Sequence, residues 1–248
     1  MKELRVILLG RPVGLLRQEE DGKMTFRYDA AWLGHETARP LSQSLPLRAE
    51  AFTEKECAPF FGGLLPEEQN REIVARNLGI TPRNDYAMLR EIGGECAGAV
   101  SLIPADQAPK TSDYSYEPIS EAELIKILDQ LPQHPLLAGS SEVRLSLAGA
   151  QNKIALRLDD SGYSIPKNES PSTHLLKPEV SRFPGLAENE AYCLKLAASI
   201  GLKTCQVEAL QLGPYRCLLV NRYDRLSRND AVERLHQEDF CQAMGIPS

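Results

Sequence analysis

Three short apolar runs open the chain, over residues 4–9, 13–17 and 24–28. They read as strands, and Asp21-Gly22 supplies the turn chemistry of a hairpin between the second and third. Helical punctuation follows. Thr53 and Glu56 are spaced as a capping box, Pro66 sits where a first helical turn tolerates proline, and Gly79 lies where a helix over 67–78 stops. Leu64, Ile73, Val74 and Leu78 then face a core. This first unit, residues 1–106, is a small α+β subdomain.

Between residues 102 and 120 the pattern lapses: Pro104, Pro109 and Pro118 stand among Ala, Asp, Ser and Tyr without apolar periodicity, as a linker does. Ser120 and Glu123 form a second capping box, opening an amphipathic helix that runs to about Leu131 and ends at Pro132 and Pro135. Linker and helix take up residues 107–135. From 136 to 248 strands and loops alternate, with aliphatic runs at 143–147, 153–158, 163–165 and 173–177. A helix follows over about 187–200, with Ala187, Ala191, Leu194 and Ala198 on one stripe and Gly201 in the stop position. Strands over 206–212 and 216–223 are joined across Gly213-Pro214. Several strands, one helix and then a hairpin is the order of a protein-kinase-like small lobe: a mostly antiparallel sheet with one helix. The fold class expected for the whole is α+β.

Composition narrows the picture only modestly. A chain of 248 residues can bury the core of one large domain or two ordinary ones, and a net charge of −6 offers no whole-chain reason to bind nucleic acid or an anionic membrane. The six cysteines include no CxxC pair and the four histidines lack metal-ligand spacing, so neither a metal cluster nor a disulfide frame is expected. The apolar run over 6–10 is too short for a signal segment or a membrane span, and a reducing cytoplasm is the default expectation.

Chemistry concentrates in the second unit. Ala148-Gly149-Ala150 is a stretch without side-chain bulk, as a loop must be if its backbone N–H groups are to approach phosphate oxygens. Gln151, Asn152 and Lys153 add donors at the start of the next strand. An ordinary tight hairpin has the same composition. Lys177 ends an apolar strand and Glu190 follows thirteen residues later near the start of a helix. A kinase uses such a lysine on the α/β-phosphates and such a glutamate to hold it. A solvated lysine and a glutamate placed for the helix dipole would look no different. Asn221, Arg222 and Tyr223 follow an aliphatic strand where a hinge would offer backbone groups to an adenine edge, although Arg222, Asp224 and Arg225 also suit a solvated salt-bridging turn. Gly93-Gly94-Glu95-Cys96-Ala97-Gly98 reads as a helix-to-strand turn. None of the histidines has a partner that would make it catalytic.

These motifs together resemble the HipA family, bacterial serine/threonine protein kinases that act as toxins of two-gene toxin–antitoxin modules. The resemblance runs along the whole chain. It takes in Ala38 to Leu47, Gly62-Gly63-Leu64-Leu65-Pro66, Glu91-Ile92-Gly93, Gly98 to Pro104, the Ser146 to Lys153 loop, Thr173 to Lys177, Asn189-Glu190, Arg222-Tyr223-Asp224-Arg225 and Gln237-Glu238-Asp239. It implies that Ala148, Gly149, Ala150, Gln151, Asn152 and Lys153 form the ATP phosphate loop, that Lys177 is the ATP lysine and Glu190 its partner, and that Asn221 to Tyr223 are the adenine-side hinge. It also implies that Ser146 is a regulatory autophosphorylation site, where added negative charge beside an anion site would repel nucleotide. The implied cofactors are ATP and Mg2+. The implied partners are a HipB-like DNA-binding antitoxin and a protein substrate of the aminoacyl-tRNA synthetase type. Family members continue for a comparable length again, and that half carries the catalytic and magnesium-binding aspartates. The expectation is therefore that the C-terminal catalytic lobe is absent, that no catalytic residue lies in this chain, and that it needs a separate lobe for activity. The alternative is a truncated remnant that binds nucleotide, antitoxin or a partner kinase lobe.

Overall fold

The computed structural model describes residues 2–107, 114–139, 143–180, 182–228 and 231–247, so Pro109 of the expected linker lies outside the described residues. β1 (Lys2–Leu8), β2 (Arg11–Gln18) and β3 (Met24–Tyr28) form the opening meander, and β4 (Val100–Pro104) returns beside β1 to give an antiparallel sheet of order β3-β2-β1-β4. Its inward face meets α1 (Ala30–Leu33), α2 (Glu54–Gly62), α3 (Glu68–Leu78) and α4 (Asp85–Ile92). Phe26, Phe52, Phe60, Phe61 and Tyr86 are all but fully buried there, and rings this large contribute most of the apolar area that holds the unit together.

The Thr53–Glu56 capping box is present at the start of α2. α3 stops where Gly79 adopts φ 66°, and its N–H closes on Arg76 O while Ile80 N–H reaches back to Ala75 O. An added methyl at Gly79 would meet nothing within 4 Å, so the backbone alone requires glycine. Gly79→Ala is therefore expected to cost about 1–2 kcal/mol, the penalty of left-handed backbone for a residue with a Cβ, read from the midpoint of urea denaturation.

The second sheet is built from β5 (Ser115–Ile119), β6 (Ile154–Asp159), β7 (Gly162–Lys167), β8 (His174–Pro178), β9 (Val207–Leu212) and β10 (Tyr215–Asn221), in the antiparallel order β5-β7-β6-β8-β10-β9. β5 corrects the reading of its segment as linker. It is an outer strand, largely exposed, so it carries no apolar alternation, and an edge position tolerates Pro118. α5 (Glu121–Gln130), with its capping box at Ser120 and Glu123, lays Leu124, Leu128 and the following Leu131 into the core formed by Ile154, Leu156 and Leu176. It thus belongs to the second unit's core rather than to a free connection. α6 (Leu186–Ser199) seats Ala187 and Ala191 on Leu218 and Val220, small residues letting helix and strand approach closely; Leu194 is half-buried and Ala198, expected on the same stripe, is exposed.

Residues 143–147 form no strand of the sheet. One isolated bridge, Glu95 with Leu145, ties them to the first unit, where Glu95 N–H donates to Arg144 O (2.8 Å) and Ser146 N–H to Glu95 O (2.9 Å); a second, Val143 with Asn168, lies within the second unit. Beyond β10, a small hairpin of β11 (Arg225–Arg228) and β12 (Ala231–Arg234) leads to α7 (Phe240–Met244), which returns to the first unit. There Gln242 Nε2 donates to Phe60 O (2.9 Å), and the Ser42 and Ser44 hydroxyls donate to Gln242 O. Among the described residues no helix is long and apolar enough to cross a membrane, and no group of three or more His, Cys, Asp or Glu could hold a metal ion.

Candidate functional site

β8 carries Lys177 opposite Leu218 in register, on the face that α6 covers, and α6 brings Glu190 down to it: Lys177 Nζ donates to Glu190 Oε1 at 2.8 Å. Both side chains keep partial solvent access, about a fifth for the lysine and a third for the glutamate, so the pair lies at the surface rather than in the core. An ion pair this exposed contributes little to stability. What it does is fix where the ammonium points.

The loop expected to bind phosphate lies next to this pair. Gly149 adopts φ 105°, and a Cβ there would stand 2.8 Å from Lys153 Nζ, so glycine lets the lysine tuck beneath the loop. Lys153 Nζ donates to Ala148 O at 2.6 Å. Burial, reinforced by the nearby Lys177 charge, pulls its pKa down to about 8, against which Glu67 and Glu190 act. Gln151 Nε2 donates to Pro178 O (3.3 Å), tying the loop to the residue after Lys177, and Asn152 Oδ1 is buried without a partner. Two cations and a loop free of bulk converge here. That donor set suits the oxygens of a polyphosphate.

Ser146 lies under the loop. It is fully buried, its hydroxyl donating to Leu64 O at 2.7 Å and its N–H to Glu95 O. No phosphate fits that position without displacing the segment.

The hinge residues divide. Asn221 pairs with His174 across β10 and β8, and Tyr223 is mostly exposed. Arg222, by contrast, is buried: its guanidinium is committed to Glu95, Asp224, Ser172 and the Cys96 carbonyl, its N–H donates to Thr173 O (2.9 Å) and its carbonyl accepts from Arg225 N–H (3.3 Å). The idea of a solvated turn at Arg222, Asp224 and Arg225 is thereby corrected: the three close a buried ionic cluster on Glu95, which Arg225 Nη2 meets at 2.9 Å. In the sequence Glu95 is only one residue of a glycine-rich turn. Its partners lie 127 and 130 residues away, and no local spacing points to them. A separate cleft of about 510 Å3, lined in part by Arg11, Ser101, Glu169 and Arg234, includes no residue of the loop.

Comparison with known proteins follows the same division. The family model described as the HipA N-terminal domain matches residues 4–103, and that described as the HipA-like C-terminal domain matches residues 145–248. The expected absence of a C-terminal lobe is accordingly not confirmed, since what reads as a small lobe falls within a matched HipA-like C-terminal domain. The Y4mE protein of Sinorhizobium fredii is 49% identical over 243 residues, 96% of this chain and 58% of Y4mE. The serine/threonine-protein kinase toxin HipA of Shewanella oneidensis is 30% identical over 210 residues, 84% of this chain and 47% of that protein. A chain in the solved complex of Shewanella oneidensis HipA, HipB and operator DNA superimposes with a TM-score of 0.81 at 28% identity, covering 98% of this chain and 56% of that one. The chain spans about half the length of the curated relatives it matches.

Proposed function

The chain belongs to the HipA family, and from that membership we propose that it supplies the ATP-binding part of a serine/threonine protein kinase. The observation that carries this reading is the Lys177–Glu190 bridge at 2.8 Å beside a bulk-free loop that shelters Lys153. In this reading Lys177 meets the α/β-phosphates, Glu190 orients it, residues 148–153 wrap the phosphate chain, and the backbone around Asn221 to Tyr223 meets the adenine. Mg2+, when bound with ATP, neutralises phosphate charge. Its ligands and the general base are placed, by resemblance, in the further length that the relatives have. Phosphoryl transfer to a protein serine then needs that length, supplied in the same chain or by a separate lobe. By the same resemblance the substrate is a protein of the aminoacyl-tRNA synthetase type and the setting cytoplasmic. A HipB-like DNA-binding antitoxin is the proposed partner, a reading supported by the solved complex of HipA with HipB.

Calorimetric titration with Mg-ATP tests the reading: saturable binding supports it, and absence of binding overturns it. Binding without transfer to any protein, even with a C-terminal lobe added, would favour a non-catalytic binding module. Ser146 is proposed as the regulatory site. Because its hydroxyl is buried against Leu64 O, a charge there must expel the loop. Ser146→Asp is expected to weaken ATP binding at least about tenfold, since it breaks that bond and buries an unpaired carboxylate. Unchanged affinity in this variant would remove Ser146 from the regulatory role.

A further inference from the structure

Segment 64–70 of the first unit touches the loop at both of its ends. Leu64 O receives the Ser146 hydroxyl at 2.7 Å, and Asn70 Nδ2, on the first turn of α3, donates to Ala150 O at 2.7 Å across eighty residues of sequence. Between them Glu67 acts on Lys153 as a favourable charge. We infer that Asn70 is a positioning residue for the phosphate loop and that segment 64–70 is the seat on which the loop is held. This rests on reading residues 148–153 as a nucleotide loop.

The orientation of Asn70 is settled by chemistry, because only its NH2 group can donate to a carbonyl. Asn70 is 7% exposed, so little water can replace the bond once it is lost. The bond also has a consequence on the far side of the peptide. In a trans peptide the C=O and the following N–H point in opposite directions, so drawing Ala150 O toward α3 turns the Gln151 N–H away from it. A backbone donor is thereby held in the direction from which an anionic oxygen can meet it, before any ligand arrives. Pre-set donors bind anions more tightly than donors that must first be ordered. The Gly62 to Pro66 motif gains a purpose here: it leads the chain from α2 to the seat.

Two measurements on the full chain test the inference, using Asn70→Ala and the isosteric Asn70→Asp, which accepts but does not donate. In the unliganded protein, amide hydrogen exchange across residues 147–152 is expected to rise about tenfold, and the Kd for Mg-ATP to rise about tenfold, the loss of one shielded hydrogen bond. Exchange in β1 to β4 is expected to stay as in the wild type, which a general loss of packing would not allow. Wild-type exchange in the loop of both variants would overturn the inference, as would an unchanged Kd where the wild type binds. Should the wild type bind no Mg-ATP, the nucleotide reading falls, and the exchange measurement alone decides whether Asn70 holds the loop. The aspartate variant serves if the alanine variant does not fold.

Discussion

A Glu95→Ala chain is expected to lose about 3–5 kcal/mol of stability, the cost of breaking a buried ion pair by removing one partner, and to melt about 10 °C or more below the wild type. Glu95 is 2% exposed and accepts from Ser172 N–H (2.8 Å), the Ser172 hydroxyl (2.9 Å), Arg222 Nη1 (3.1 Å) and Arg225 Nη2 (2.9 Å). Asp224 supplies the second negative charge, meeting Arg222 Nη2 and the Gly98 N–H, both at 2.7 Å. Two carboxylates balance two guanidiniums, and deleting Glu95 leaves an uncompensated cation in the junction between the two units. Glu95→Gln, which keeps volume and one acceptor, is expected to fall between alanine and wild type.

The same cluster sets an acid limit. Burial pushes the Glu95 carboxyl up, yet the Arg222 and Arg225 guanidiniums outweigh it and hold the group at about 2, below the ordinary 4.5. Asp224 is likewise lowered: burial opposes the shift, and the Arg222 hydrogen bond and charge prevail. A carboxyl depressed on folding contributes its full stability above its unfolded value and loses it as pH falls toward the folded one. Wild-type stability, followed by urea denaturation, is therefore expected to drop steeply between about pH 4.5 and 2. Glu95→Gln should show a shallower acid slope, and an identical slope in both would count against this account.

Local grammar was what the sequence made legible. The capping boxes at Thr53 and Ser120, the glycine stop at Gly79 and the thirteen-residue interval from Lys177 to Glu190 depend on neighbours a few turns away, and each takes the form its spacing suggests. The failures share a cause as well. The run 143–147 has the aliphatic content of a strand, but its partners are the turn at Glu95 and Asn168 rather than a strand of the sheet, and composition does not name a partner. The outer strand Ser115–Ile119 lacks alternation because neither of its faces is much buried. Asn70 and Glu95 were missed because a buried polar group looks, in sequence, like a solvated one; only the fold brings Ala150 to the first and two arginines to the second.

Lys177→Ala is expected to weaken Mg-ATP binding about 10- to 100-fold, the equivalent of losing charge-assisted hydrogen bonds worth about 1.5–3 kcal/mol, while leaving the melting temperature nearly unchanged. The separation of the two effects follows from burial. The Lys177–Glu190 pair is partly solvated, so its loss hardly touches stability, whereas a phosphate that excludes water makes the ammonium's charge count far more. Glu190→Ala is expected to lose less than Lys177→Ala, because the cation survives and only its aim is lost. Lys177→Arg is expected not to restore full affinity, since a planar fork cannot occupy the position of a compact ammonium held from one side by Glu190. Lys153 adds a pH signature that separates this site from a generic basic patch. With its pKa drawn down to about 8, it is largely charged at neutral pH and discharges above pH 8. Bound phosphate favours the charged form, so affinity should fall as pH rises through that value and binding near pH 8 should take up a proton. Titrations in buffers of different ionisation enthalpy read that proton directly. An affinity flat from pH 7 to 9, with no proton uptake, would mean that Lys153 does not face the ligand.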